Sequence, residues 1–232
     1  MEKTREQEEQ MKLQLAANVH ILACCSFALL YGILRINAKK KAPTYLLFSL
    51  FATLSAFLSR VYYVLAILFF NGLPQTFNVG FVGYAATLLF FLLANIGQID
   101  WLVDDRKTVK PIYRIIPTII PAAELFAALY GLTLDNVAPS IRVSFVVLST
   151  IAGFAGYFNI KHVIIPDVAF GIVRSIRGYN LIAFSAGLLS LCEIGFSIYG
   201  LNDYIIYVQI VLGALFAVAI PVLSAEVKKW TR

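Results

Sequence analysis

Charge is scarce in this sequence: only 14% of its 232 residues are Asp, Glu, Lys or Arg, while 60% are hydrophobic. A soluble domain is typically about 45–50% apolar. With a mean hydropathy of +0.80, the composition therefore excludes a soluble globular fold and predicts a single membrane domain. Histidine is limited to His20 and His162. The three cysteines, Cys24, Cys25 and Cys192, all fall in apolar stretches and lack CxxC or zinc-ligand spacing. They read as core residues, and neither a metal site nor a cofactor is expected. HExxH, GxSxG and a glycine-rich phosphate loop are missing as well, which removes the usual carriers of hydrolytic and phosphoryl chemistry. Asp104-Asp105 has no second acidic motif of the kind used by metal-dependent lipid transferases, so the expectation is a protein that is not an enzyme. The start, MEKTREQEEQMKLQ, has no basic n-region of a secretory signal, so the first apolar run is expected to stay in the mature chain.

What the sequence does have is long apolar runs separated by short polar breaks. A crossing of the bilayer needs about 20 apolar residues, and seven segments qualify: Leu15 to Ile36, Tyr45 to Asn71, Val79 to Val103, Ile112 to Leu132, Ile141 to Ile165, Tyr179 to Tyr199 and Tyr204 to Val227. Residues 1–14 form a polar extension of helical composition. The fourth segment contains Pro117 and Pro121, which predict a bend. Between the fifth and sixth, Val168, Ile172 and Ile176 share a helical face, which predicts a brief interfacial helix. The formal charge of +6 does not point to nucleic acid, because the basic residues sit in clusters between the apolar runs. Arg35, Lys39 to Lys41, Arg106, Lys107, Lys110, Arg114, Lys161, Arg174, Arg177, Lys228, Lys229 and Arg232 fall on one side of an alternating topology; Lys3, Arg5, Lys12 and Arg142 fall on the other. The positive-inside rule then predicts an all-α seven-helix bundle in the cell membrane, with the N-terminus outside and the C-terminus cytoplasmic.

Arg60 lies well inside the second segment. A charge in hydrocarbon costs from about 2.5 to more than 10 kcal/mol, so it is expected to face partners or a wet cavity. Counted from the cytoplasmic ends of their segments, Arg60, Glu124 and Glu193 lie about 22, 18 and 21 Å deep. That shared layer predicts a common polar site, either an ion pair holding the bundle or an outer-half cavity for a small polar or charged solute. His20, Gln209 and Tyr63 lie near the same layer and complete the candidate ligand-binding set; Asn18 and Tyr62 are also close. At the cytoplasmic end, Asn95, Asp100, Asp104, Asp105, Asn159, Lys161 and His162 form a second cluster. It is expected to be interfacial polarity, an inner gate, or a docking surface for a cytosolic or membrane protein partner, with Asp100 and Lys161 as the pair to test.

Seven crossings divide as three, one and three, and in topology this resembles the sugar-transporting SWEET and PQ-loop proteins. The Pro-Gln pair, Pro74-Gln75, follows the second crossing and not the first helix of a repeat. Microbial rhodopsins share the helix number, but the seventh segment has no lysine before Lys228 for a Schiff base. Neither likeness extends past topology. The sequence thus leads to a transporter or permease-like protein first, a ligand-binding receptor or sensor second, and a structural or regulatory membrane subunit third.

Overall fold

In lipid a backbone can satisfy its own hydrogen bonds as a helix, and the described part of this chain is helical. The computed structural model describes residues 2–37, 44–70, 72, 78–96, 100, 104, 109–133, 137–166, 172–198 and 202–227. The helices are α1 (Glu2–Asn37), α2 (Thr44–Phe70), α3 (Val79–Ala94), α4 (Ile112–Leu132), α5 (Pro139–Ile164), α6 (Ile172–Ile198) and α7 (Asn202–Val227). Among the described residues, six are long and apolar enough to cross a membrane, and α3 is a shorter apolar helix. Large apolar side chains point outward in numbers no soluble surface carries, with Phe70 82% and Phe126 74% exposed. Such a surface requires lipid around it, so the chain is a multi-pass membrane protein.

Local sequence accounts for several boundaries. Asn78 caps α3, its side chain accepting from the Gly80 amide at 2.9 Å, and Pro139 opens α5 where a missing amide hydrogen costs nothing. In α4 the helical hydrogen bonding changes around Pro117, while Pro121 lies within regular helix. An α-helical turn, Ile112–Ile115, gives way to a 3-10 turn, Ile116–Thr118, around Pro117 before the α-helix resumes over Ile119–Leu132.

One expectation changes and one is described only in part. The third segment was expected to run to Val103; regular α3 ends at Ala94 and loosens into a π-helical turn at Asn95 and Ile96, Asp100 is again helical, and residues 97–99 and 101–103 lie outside the described residues. At the π-helical turn the Asn95 carboxamide turns to Asn159, donating at 2.6 Å. The expected separate interfacial helix is instead the start of α6. Ile172 and Ile176 lie on one uninterrupted helix that continues to Ile198, and Val168 lies outside the described residues. Gly178 does not interrupt it, because a helical glycine costs only about 1 kcal/mol and Ile176, Tyr179 and Asn180 are all fully buried around it.

The helices pack as a ring in the order α1, α2, α3, α5, α6, α7, closing where α7 meets α1. Helix α4 stands outside this ring and packs mainly on α5. Small residues allow the closest approaches: a side-chain carbon added at Gly83 of α3 would lie 2.6 Å from Ser59 Cβ of α2. Ile21, Cys25, Phe91, Tyr179, Leu212, Phe216 and Ile220 fill the interior in one cluster. Tyr84, Leu88, Leu148 and Leu191 form a second between α3, α5 and α6.

Candidate functional site

Arg60 is the largest fully buried side chain among the described residues, at 2% exposure. Its guanidinium meets the Glu193 carboxylate with both forks engaged, Nη1 to Oε1 at 2.7 Å and Nη2 to Oε2 at 2.5 Å. Asn18 of α1 accepts a further bond from Nη1 at 2.9 Å while its own amide donates to Gln14 O at 2.8 Å. The Tyr84 hydroxyl of α3 accepts from Nη2 and donates to Glu193 Oε2. Gln209 of α7 donates to Glu193 Oε1 at 2.5 Å. Five of the six ring helices therefore supply side chains to a single centre. Tyr63, one turn beyond Arg60, completes it with its ring centroid 5.8 Å from the guanidinium carbon; the Tyr84 ring lies at 5.1 Å.

The bidentate geometry is the strongest arrangement available to an arginine and a carboxylate, and it needs these supports. Two charges removed from water are stable only when their remaining donors and acceptors are also engaged. One atom of the centre is left over: Gln209 Oε1 is buried with no hydrogen-bond partner among the described residues.

Glu124 does not join this centre, which corrects the expectation of one site for both glutamates. Its depth matches, but α4 lies outside the ring, so its carboxylate faces a crevice bounded by α3, α4, α5 and α6. That crevice is narrow, with a volume of about 10 Å3 that admits roughly one water, and its walls include none of the Arg60 cluster. His20 is also displaced. Two positions on from Asn18 it has turned about 200° around α1, and it lies exposed in the α1–α7 groove with Nε2 3.3 Å from Ile210 O.

At the other end of the ring, α3, α4 and α5 share a continuous polar network. Lys161 meets Asp100 Oδ1 and Asp104 Oδ2, both at 2.6 Å. Asp104 also receives a fork from Arg114, Nη2 to Oδ1 at 2.6 Å and Nε to Oδ2 at 2.9 Å. Burial pushes the Asp104 carboxyl up, but the hydrogen bonds from Arg114 and Lys161 outweigh it and hold the group below the ordinary carboxylate range. His162 sits between Asn95 Oδ1 at 2.8 Å and Asp100 Oδ1 at 3.1 Å. Asp105 lies outside the described residues.

Sequence reasoning placed Arg60 with Glu193 and Asp100 with Lys161, and it missed Tyr84 and Arg114. Tyr84 lies in mid-helix beside Gly80 and Gly83, and that distance from either end was the available sign that it is not an interfacial tyrosine. Arg114 gave no local sign, because its carboxylate partner is ten positions earlier across a helix boundary. Comparison of the chain with protein-family models, with curated proteins and with solved structures finds no match.

Proposed function

We propose that this multi-pass membrane protein is a permease for a small solute carrying both a carboxylate and an ammonium group, and that it performs no enzymatic reaction. The observation that carries the reading is the position of the ion pair. Arg60 belongs to the three-helix group α1–α3 and Glu193 to the group α5–α7, so the bond spans the seam between the two. If the groups rock apart, each charge loses its partner at once, and a zwitterion replaces both contacts: its carboxylate takes the arginine fork and its ammonium takes Glu193. The unused Gln209 Oε1 offers such a solute one further acceptor. In this reading the N-terminus is outside, and the Asp100, Asp104, Lys161 and His162 network is the inner closure.

A second reading is favoured by the completeness of the pairing: a structural or regulatory subunit in which the same bond never opens. Uptake by proteoliposomes separates the two. Radiolabelled zwitterionic amino acids are expected to accumulate against unlabelled solute inside, while a simple carboxylate or amine of equal size does not. Arg60→Lys, which keeps the positive charge but loses the planar fork, is expected to abolish uptake with the protein still folded. Absence of uptake of every zwitterion tested supports the subunit reading instead.

A further inference from the structure

Helix α4 lies close against α5, and the two run in opposite directions: a carbon added at Gly153 would sit 3.1 Å from Pro121 Cα, and one added at Gly156 would sit 2.7 Å from Ile120 Cγ2. Side chains lean toward the start of their own helix. Glu124, one turn beyond Ile120, and Asn159, about one turn beyond Gly156, therefore lean toward the same point from opposite sides. Both line the narrow gap between these helices, and its other walls are apolar. A space of about 10 Å3 suits one water and no organic ligand.

Glu124 makes no hydrogen bond or ion pair with any described residue. Glu193, by contrast, is held by three side chains at a similar depth. An isolated carboxylate in apolar surroundings is expensive, and the less costly form is the neutral acid, whose O–H a water in the gap can accept. Asn159 is committed on its other side. Its Oδ1 accepts from Asn95 at 2.6 Å, and Asn95 Oδ1 lies 2.8 Å from His162 Nδ1. His162 meets Asp100 through Nε2 at 3.1 Å, and Lys161 shares that carboxylate at 2.6 Å. A short run of side chains thus joins the Glu124 gap to the charged junction of α3, α4 and α5.

This link has two arrangements. With Glu124 neutral, the water serves it and the Asn159 carboxamide stays with Asn95. Once the proton has passed to the water, the carboxylate needs N–H donors, and among the described residues the Asn159 amide is the side-chain donor in the walls. Turning toward Glu124 takes Asn159 away from Asn95 and frees the carboxamide that faces His162.

From this convergence we infer that Glu124 is a proton-binding site: it holds its proton as a neutral acid against one water, and release of that proton draws Asn159 from Asn95 and so alters the surroundings of His162. Few other ionisable groups bear on either end. Helices α3 and α5 bring none to the walls around Glu124, and α6 brings Cys192 within reach of its charge. His162 feels Asp100, Asp104 and Lys161, with Arg114 of α4 behind Asp104.

The chain has only two histidines, which makes the test direct. The intact protein with isotope-labelled histidine is placed in nanodiscs, and the ring resonances of His20 and His162 are told apart with His20→Gln. Infrared spectra between about pH 5 and 9 are expected to show a protonated-carboxyl band that fades as pH rises and is absent in Glu124→Gln. Over the same interval the His162 Nδ1 resonance is expected to move. That movement is expected to be lost in Glu124→Gln and in Asn159→Leu, while the titration of His162 itself persists in both. Asn159→Leu keeps the carboxyl and cuts only the link, so its infrared band remains, and this variant carries the test if Glu124→Gln does not fold. A Glu124 band that is missing or constant throughout the range overturns the proposal, as does a His162 movement that survives either substitution. Solute uptake enters neither measurement, so this proposal and the permease reading fail separately.

Discussion

Arg60 and Glu193 are balanced in charge, yet three further side chains hold them, because a buried ion pair leaves lone pairs and N–H groups that the pair itself cannot satisfy. This makes the cost of damage asymmetric. Removing one partner strands a charge and costs about 3–5 kcal/mol, whereas replacing both by apolar groups of similar volume is close to neutral. Arg60→Met and Glu193→Met are each expected to lower the unfolding temperature of the detergent-solubilised protein sharply, and the double variant to recover most of the loss. Equal additive losses in the cycle would show that the two side chains do not depend on each other. Asp104 gives a prediction in pH. Its folded carboxyl is held below the ordinary range, so the stability it contributes is present above the unfolded value of about 3.9 and is lost as pH falls through the lower folded value. Melting temperature measured against pH is expected to drop more steeply below about pH 4 in the natural protein than in Asp104→Asn.

The elements explain which parts of the site could be read in advance. Counting along each helix gives depth, and depth correctly grouped Arg60 with Glu193. It gives neither the order in which helices neighbour one another nor the direction a side chain faces, and for that reason Glu124 was placed in the same site although α4 packs outside the ring. Helix ends were legible where a cap or proline acts locally, as at Asn78 and Pro139. They were not legible where burial decides, as at Gly178, which α6 passes through without a break. The network joining α3, α4 and α5 can be tested at this scale. Lys161→Asp alone leaves three carboxylates facing one another, so it is expected to destabilise the junction. Adding Asp100→Lys restores one opposite-sign contact. The swap is expected to recover protein yield and protease resistance of the segment following α3, and recovery no better than in the single variant would show that the pairing is incidental.

Across the whole molecule, composition alone was enough to identify a helical membrane bundle, since nothing else buries so little charge over so many apolar residues. The ring order was not legible, because it depends on contacts such as α1 with α7 that join residues nearly two hundred positions apart. Those contacts make the two halves adhesive. Segments 1–105 and 106–232 expressed as separate chains are expected to copurify in mild detergent through the α1–α7 and α3–α5 faces, with Arg60→Met in the first segment reducing recovery of the second. Independent elution of the segments would show that the connection through α4 holds the ring together.

The seven-pass arrangement that the sequence predicts gives α4 a topological role. In it, three passes leave a polypeptide on the side of the membrane opposite to its start, so a second group of three can enter in the same direction only after one extra pass, which α4 would supply. Its outward face is then constrained by length and oiliness alone, and sequence drift there should be free until it reaches Pro121 and Glu124, where Gly153 of α5 presses against it.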